Sequence, residues 1–492
     1  MKKKSIKILL FSLFLLLLMF PLFGHLDTLA IRVWDEARLA MNAVEMLNDG
    51  DLIVTHYDGQ PDMWNTKPPL LIWIQVIFMK LMGVNELAVR LPSAIAALAT
   101  CFGLIYFFKR YMKSPWIGYI SAFVLVTTQG FVDIHSSRTG DYDTLLTLFT
   151  TTGGLFFFAY LTTKRVKQLY IFFFLMALSV LTKSITGLVF IPAFLAYALL
   201  QKELLPLMKN KHTYFGLGGF LVLVLGYYFL REVYNPGYIA AVQENELGGR
   251  YLTVIENHSS SFWYYYDNLI VKRMSVWYLL IPCGLLLGLY SKNERIKKIT
   301  LFSVLMILSF FLVISTAQTK LEWYDVPMLP FLAIVVSVGI YVAFDYLKSI
   351  AYFNQQFRVN VVPFLFLFLV GIHPYQAVLD TTYFPKETKE DKVIYELSYY
   401  LKNAVKNGGD YLDHQVLLYD GYNAHLQFYI KQLNDKNVHF SLKDWKEIQP
   451  SETVITNQRA ILDYIKTHFE YTIMRREGTI LTIRLNEAKG AH

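Results

Sequence analysis

The sequence has few cysteines and few charged side chains. Only two cysteines occur in 492 residues, Cys101 and Cys283, and each lies inside an apolar run. Two isolated cysteines support neither a disulfide framework nor a thiolate metal site. Charged residues make up 17% of the chain and hydrophobic residues 54%, whereas a soluble domain carries about a quarter charged residues. This composition indicates a membrane protein.

Long apolar segments recur along the first 380 residues. A helix needs about 20 apolar residues to cross a bilayer core of about 30 Å. The first segment, after Met1-Lys2-Lys3-Lys4, resembles a signal peptide, but no small-x-small cleavage site follows it. We therefore predict an uncleaved first span and about 11 spans in all. They lie near residues 5–24, 88–108, 115–134, 143–162, 169–183, 185–201, 213–232, 274–291, 299–316, 325–347 and 359–379.

Lysine and arginine are concentrated in alternate loops, near residues 109–113, 164–167, 202–211 and 292–298. Basic residues mark cytoplasmic loops, so we expect a cytoplasmic N-terminus and an extracytoplasmic C-terminus in a bacterial inner membrane. The adjacent pair Lys272-Arg273 does not fit this pattern. The same loops explain the net charge of +8 without a nucleic-acid partner.

The composition changes near Thr388, beyond which Lys, Asp, Glu and Asn are common. Alternating strand and helix patterns there predict a small α/β domain. The first outer loop carries apolar residues at helical spacing over 37–47, and 70–82 is too short to span, so we expect helices along the membrane surface. An ordinary loop helix packed on the bundle is the alternative. We predict a polytopic α-helical membrane domain over 1–382 and an extracytoplasmic α/β domain over 383–492.

Ionisable residues near lipid are functional candidates, because charge is expensive there. The first predicted outer loop contains Asp35, Glu36 and Lys67, and the second contains Arg138, Asp141 and Asp143. An aspartate before a helical run also caps free backbone N–H groups. Capping is therefore an alternative explanation for Asp35, Asp141 and Asp143, although two acidic outer loops favour a shared site.

Further candidates lie at the outer ends of later spans. Lys183 and Lys320 either contribute to the site or extend to the interface along their aliphatic stems. Arg250 and Tyr324 are candidate substrate contacts. His258 is compatible with a metal, a phosphate or no ligand. A single histidine is weak evidence for a metal, since a zinc site needs three or four converging ligands.

The chemistry of this set suggests transfer of a group from a lipid phosphate. Carboxylates can deprotonate an attacking hydroxyl or amine. Lysine and arginine can hold a phosphate and stabilise charge on a leaving group. Aromatic side chains suit sugar rings and interfacial lipid.

Several motifs resemble those of the bacterial protein O-mannosyltransferase superfamily, the GT-C glycosyltransferases that include lipid A aminoarabinose transferase. They are the first-loop sequence 34–40, the Asn-Thr-Lys-Pro-Pro-Leu sequence 65–70, the sequence 85–93, the acidic sequence 138–146, and shorter matches at 182–184, 258–265 and 320–324. The resemblance covers roughly residues 5–380. The C-terminal domain resembles a periplasmic domain of some relatives only in outline.

The resemblance implies roles for individual residues. Asp35 corresponds to the catalytic carboxylate and Lys67 to the donor-phosphate contact, while Asp143 aligns best with the second acidic motif. Lys183, Arg250 and Lys320 are secondary phosphate contacts. Possible substrate contacts are Glu36, Arg138, Asp141, His258 and Tyr324.

One position departs from the family pattern. The aminoarabinose transferases have a metal-binding glutamate immediately before the Lys-Pro-Pro lysine, and this chain has Thr66. We therefore assign no metal ligand and no certain cofactor. The same substitution argues against aminoarabinose as the sugar.

The combined reading is an inverting glycosyltransferase that uses a polyprenyl-phosphate sugar and a lipid, glycan or protein acceptor. The first alternative is a polytopic transporter or lipid flippase with a periplasmic accessory domain. Transporters place ionisable residues and broken helices near the bilayer midplane, often in two related halves. Here the ionisable residues lie in outer loops and no half-repeat is evident. A second alternative, a non-catalytic scaffold, leaves the acidic loops unexplained.

Overall fold

A computed structural model of the chain describes residues 2–249, 259–350 and 361–489. The described residues before 383 form helices and one short hairpin. The first elements are α1 (Lys2–Phe23), α2 (Asp35–Asp49), β1 (His56–Tyr57), β2 (Gln60–Pro61), α3 (Leu70–Met82), α4 (Glu86–Phe107), α5 (Pro115–Val126), α6 (Tyr142–Thr163) and α7 (Val166–Lys183). The later helices are Ile191–Leu200, Leu204–Lys209, Lys211–Tyr234, Tyr238–Val242, Tyr264–Asn268, Ile281–Leu289, Glu294–Thr316, Leu329–Ser349 and Val361–Thr382.

Eight helical stretches among the described residues are long and apolar enough to cross a membrane. They are Ser5–Phe23, Glu86–Met112, Tyr142–Thr163, Val166–Leu188, Lys211–Tyr234, Glu294–Thr316, Glu322–Ser349 and Val361–Thr382. The pair Tyr264–Arg273 and Ser275–Leu289, bent by 117°, would be a ninth. The spans expected at 115–134 and 185–201 appear as shorter helices that end at Val126 and begin at Ile191. The multi-span architecture is confirmed, and the number of crossings stays a prediction.

One member of the basic pair that did not fit the topology, Arg273, has a structural explanation. Arg273 is 1% exposed and donates to the Asp325 carboxylate at 2.6 and 3.0 Å. A buried arginine paired with a carboxylate inside the bundle is not a solvated loop charge. It therefore carries no information about which side of the membrane its loop occupies.

The C-terminal part contains helices Lys389–Ile394, Glu396–Lys406, Ala424–Asn434 and Arg459–His468. Five strands form one sheet in the order β4-β3-β5-β7-β6, with β3 (Gln415–Leu418), β4 (Phe440–Lys443), β5 (Thr453–Thr456), β6 (Phe469–Glu477) and β7 (Ile480–Ala488). Strand β3 is parallel to β4 and β5, and β7 is antiparallel to β5 and β6. The predicted α/β domain is confirmed, whereas the boundary between residues 382 and 383 stays a prediction.

Helices α2 and α3 lie between the bundle and the C-terminal domain. One apolar core joins Leu39 of α2 and Leu71 of α3 to Phe428 and Tyr429 of the C-terminal helix Ala424–Asn434. The amphipathic pattern of 37–47 therefore buries its apolar face in protein. The predicted helices at 37–47 and 70–82 are confirmed as α2 and α3.

Candidate active site

A cavity of about 300 Å³ opens where α2, α6 and α7 meet the C-terminal domain. It contains most of the residues selected from the sequence. Its lining residues are Trp34, Asp35, Arg38, Leu39, Trp64, Asn65, Lys67, Asp141, Tyr142, Asp143, Lys183, Trp323, Tyr324 and Tyr422. Two predicted acidic loops and two predicted lysines thus converge on one pocket.

Asp35 is half-buried and is the first residue of α2. The N-cap position before it is taken by Trp34, and no side chain caps the helix there. Asp35 therefore does not serve as the helix cap, which was the structural alternative for it. A carboxylate in the first turn is favoured by the helix dipole, so this position suits an ionised side chain that faces the cavity.

Asp141 does occupy the N-cap position of α6, but its side chain makes no capping hydrogen bond. Instead its carboxylate accepts from the Thr139 hydroxyl at 2.5 Å and lies 3.3 Å from Nδ1 of His135. The His135 ring stacks on Trp323, with 3.7 Å between ring centroids. Burial lowers the pKa of His135, but the Asp141 carboxylate outweighs it, so the pKa lies above the ordinary histidine value.

One carboxylate oxygen each from Asp35 and Asp141 and one ring nitrogen of His135 lie within 4.8 Å of one another. This donor set suits a divalent cation, which prefers carboxylate oxygen and imidazole nitrogen. A second group of this kind, Asp413, His414 and His439, lies on the surface of the C-terminal domain. Sequence reasoning assigned no metal ligand and did not select His135.

Asp143 and Lys183 form a buried ion pair at the base of the cavity. The lysine Nζ lies 2.6 Å from one carboxylate oxygen of Asp143 and 2.7 Å from the other. The same Nζ lies 5.0 Å from the centre of the Tyr324 ring. Lys183 therefore fixes Asp143 rather than extending to an interface, and the pair links the first turn of α6 to the last turn of α7.

Lys67 is 7% exposed, and its Nζ lies 3.1 Å from Oε1 of Glu246. Glu246 was not selected from the sequence. Its carboxylate also lies 3.5 Å from the hydroxyl of Thr66, so an acidic group adjoins the position where relatives have glutamate. Lys67 Nζ is 5.7 Å from the centre of the Tyr142 ring, which forms the other side of its environment.

The loop that presents Lys67 is organised by the buried side chain of Asp62. Its carboxylate accepts two hydrogen bonds from Arg38, at 2.8 and 2.7 Å, and one from the backbone N–H of Asn65 at 3.0 Å. Burial raises the pKa of Asp62, but these donors outweigh it and hold the pKa below the ordinary value. The Asn65 amide in turn donates to the Tyr142 hydroxyl at 3.0 Å. Lys67 is thus held on a loop tied to α2 and α6.

Three predicted site residues lie outside the cavity lining. Glu36 is fully buried, accepts from Arg90 Nε at 2.7 Å and Nη2 at 2.9 Å, and also accepts from the N–H of Gly140. Arg138 donates to backbone carbonyls at the end of α1 and to that of Thr382. Lys320 donates to the Ala317 carbonyl at 2.7 Å. The contacts of Glu36 and Arg138 join distant segments of the protein, whereas the Lys320 contact is local, to a carbonyl three residues earlier.

Two further predicted residues, Arg250 and His258, lie outside the described residues. Their roles as phosphate and substrate contacts stay predictions. Of the aromatic residues that line the cavity, the sequence analysis selected only Tyr324. Trp34 and Trp64 are more than half exposed, which is unusual for tryptophan, and both line the cavity.

Comparison with known proteins shows which proteins the chain is similar to. The family model described as dolichyl-phosphate-mannose-protein mannosyltransferase matches residues 66–228. The undecaprenyl phosphate-alpha-4-amino-4-deoxy-L-arabinose arabinosyl transferase of Shewanella sediminis (strain HAW-EB3) is 25% identical over 318 residues, 63% of this chain and 56% of the relative. The chain spans less than two thirds of the length of the first curated relatives it matches, 63% and 56%.

Solved structures show the same fold. ArnT from Cupriavidus metallidurans bound to undecaprenyl phosphate superposes with a TM-score of 0.73 at 15% identity, covering 97% of this chain and 98% of that chain. The archaeal oligosaccharyltransferase AglB from Archaeoglobus fulgidus superposes with a TM-score of 0.52 at 10% identity, covering 86% of this chain and 63% of that chain. These likenesses concern the fold alone.

Proposed function

We propose that the chain transfers a sugar from a polyprenyl-phosphate donor to a lipid, glycan or protein acceptor. Its similarity to the mannosyltransferase family model, to the arabinosyl transferase of Shewanella sediminis and to the fold of ArnT supports this proposal. The observation that carries this proposal is the cavity in which Asp35, Asp141 and Asp143 face Lys67 and Lys183. The cavity supplies both a base and cations for a phosphate. The undecaprenyl phosphate bound to ArnT supports the same donor chemistry here.

Asp35 is the proposed general base. Its carboxylate accepts the proton of the acceptor hydroxyl or amine as that nucleophile attacks the anomeric carbon, and the bond to the phosphate oxygen breaks. Attack opposite the phosphate inverts the anomeric configuration. Asp143, fixed by Lys183, supports the base or positions the acceptor.

Lys67 is the proposed contact for the donor phosphate. A phosphate leaving group needs stabilisation of negative charge more than it needs a proton donor. The contact between Lys67 and Glu246 would then be exchanged for a contact with the donor. A cation held by Asp35, His135 and Asp141 would supply positive charge on the side of the proposed base, because attack with inversion places the base and the phosphate on opposite faces of the sugar.

The proposed active site faces the outer side of the membrane. Asp143 lies in the first turn of α6, and Lys164 follows the last residue of this 22-residue helix. At 1.5 Å per residue the helix is about 33 Å long, so the basic loop 164–167 lies at the opposite end from the cavity. Basic loops mark the cytoplasmic side. The C-terminal domain, which contributes Tyr422 to the cavity, is then extracytoplasmic.

The proposal is tested by incubating the purified protein with a panel of polyprenyl-phosphate sugars and measuring release of polyprenyl phosphate. We expect at least one donor to be consumed when a suitable acceptor is present. Scrambling of labelled lipid without consumption of any donor would contradict the proposal and favour the transporter alternative.

Lys67→Met should lower kcat/KM for the donor at least about tenfold, because it removes a charge-assisted contact to the phosphate. The variant also leaves Glu246 buried without its cation. The double variant with Glu246→Gln is therefore expected to recover thermal stability but not activity. Lys80→Met, at an exposed lysine in the last turn of α3, is the matched control. Donor kinetics of Lys67→Met equal to those of Lys80→Met would rule out a phosphate contact.

A further inference from the structure

Residues 27–34, in the connection between α1 and α2, bind the C-terminal domain as well as Arg90 of α4, and we call them the connecting segment. Three of its backbone N–H groups donate to tyrosine hydroxyls of that domain. The N–H of Ala30 donates to Tyr399 at 3.3 Å, that of Ile31 to Tyr429 at 3.0 Å, and that of Val33 to Tyr395 at 3.1 Å. The tyrosine hydroxyls thus accept hydrogen bonds from backbone N–H groups that have no partner in a helix or strand.

Charged groups of the C-terminal part bind the same segment. Glu387 accepts two hydrogen bonds from the Arg32 guanidinium, at 2.8 and 3.0 Å, and both side chains are buried. Lys402 donates to the carbonyls of Asp27, Thr28 and Leu29 at 2.5, 3.0 and 3.3 Å. Bidentate arginine–carboxylate contacts fix orientation as well as distance. The connecting segment is therefore held at both its donors and its acceptors.

The last residue of the segment, Trp34, has a strained backbone. Its φ is 70° and its ψ is −113°, a conformation that residues other than glycine rarely adopt. Its carbonyl accepts from the Tyr422 hydroxyl at 3.2 Å and from the N–H of Arg38 at 2.9 Å, the latter within the first turn of α2. Its ring stacks on Tyr422 with centroids 4.4 Å apart. Strain of this kind persists only where the surroundings determine the conformation.

We propose that the C-terminal domain is part of the catalytic apparatus and sets the position of Asp35 by holding residues 27–34. Asp35 follows Trp34 directly, so a displacement of the segment displaces the proposed base. Tyr395 is a positioning residue, because it acts through Val33. Tyr422 has two roles, since it binds Trp34 and also lines the cavity. The inference rests on the proposed catalytic role of Asp35.

A purely stabilising role predicts different behaviour. The C-terminal domain shares an apolar core with α2 and α3, which would hold the two parts together without any polar contact to the segment. Tyrosine hydroxyls add little to apolar burial. Removing a single hydroxyl therefore separates positioning from packing, because the ring and its contacts remain.

The test compares full-length Tyr395→Phe and Tyr422→Phe with the parent protein. Tyr395→Phe keeps the ring that lies 4.5 Å from the Arg32 guanidinium but leaves the Val33 N–H without its acceptor. Tyr411→Phe is the control, because its ring lies beside Tyr400 and Arg475. Two quantities are measured: hydrogen–deuterium exchange of a peptide covering 30–36, and kcat and KM with whichever polyprenyl-phosphate sugar the parent consumes.

For Tyr395→Phe we expect exchange of that peptide to rise at least about fivefold, since one buried hydrogen bond is lost. We expect kcat to fall about tenfold with KM for the donor within about twofold, because small displacements of a catalytic group are costly. Tyr422→Phe should lower kcat in the same way. The melting temperatures of Tyr395→Phe and Tyr422→Phe should match that of the parent. For the control Tyr411→Phe, the exchange rate, kcat, KM and melting temperature should all match the parent.

Faster exchange with unchanged kcat would overturn the positioning role, and unchanged exchange would overturn the contact itself. If the melting temperature of Tyr395→Phe falls so far that the variant unfolds at the assay temperature, the lost activity would reflect unfolding and would count against the proposal. If the parent consumes no donor, the proposed function fails, and the catalytic part of this inference fails with it. The exchange measurement still decides separately whether the domain holds the segment.

Discussion

Asp35→Asn is expected to lose at least about a hundredfold in turnover, within the range of about 10² to 10⁴ for general-base catalysis. The amide has nearly the shape of the carboxylate but cannot accept the proton of the attacking group. Asp35 is half-buried at the start of α2 and does not cap the helix, so folding should be unaffected. Turnover is measured as release of polyprenyl phosphate at saturating donor, with the melting temperature determined on the same sample.

Asp51→Asn is the matched control for Asp35→Asn. The Asp51 carboxylate accepts from the N–H groups of Ile53 and Val54 at 2.8 and 3.0 Å, which an amide oxygen can also do. This control should keep both activity and stability. Near-normal turnover of Asp35→Asn would remove Asp35 from the mechanism.

Glu36→Gln should have the opposite phenotype, with a large loss of stability. It leaves the fully buried Arg90 without its carboxylate partner, and breaking a buried ion pair costs about 3–5 kcal/mol. Burial raises the pKa of Glu36, but Arg90 outweighs it and holds the pKa below the ordinary glutamate value. The ionised form is therefore the one the fold uses. Yield and melting temperature in detergent should both fall well below those of Asp35→Asn.

The outcome for Glu36→Gln also decides between two roles for this residue. The family resemblance made Glu36 a possible substrate contact, whereas its bonds to Arg90 and Gly140 join α2 to α4 and to the loop before α6. A variant that melts like the parent but binds donor or acceptor poorly would restore the substrate role. A variant that melts early would assign Glu36 to the scaffold.

Local sequence was sufficient to find much of the candidate site. Asp35, Lys67, Asp141, Asp143, Lys183 and Tyr324 were chosen from short motifs and all line the cavity. Each lies at the end of an apolar segment or in a polar loop between segments, where the cost of burying charge leaves a visible pattern. The helices around these residues could be predicted from the same alternation of apolar segments and polar loops.

Other features depend on tertiary contacts and could not be read from the sequence. Tyr422 and Trp34 are 388 residues apart, and no local period connects them. Glu246 reaches Lys67 from a distant loop. Asp35 and Glu36 are adjacent in the sequence but about 100° apart around a helix, so one faces the cavity and the other Arg90. Lys320 was predicted as a phosphate contact but does not line the cavity, because only the fold determines which lysine at a helix end enters a site.

The chemistry at Asp35 is tested most directly by comparing parent and Asp35→Asn proteins in one transfer assay. The polyprenyl-phosphate sugar carries ¹³C at the anomeric carbon, and NMR follows that carbon from donor to product. The account predicts that the parent releases polyprenyl phosphate and gives a product of inverted anomeric configuration, while Asp35→Asn gives at most about one hundredth of that rate. A product of retained configuration, or equal rates for the two proteins, would contradict it.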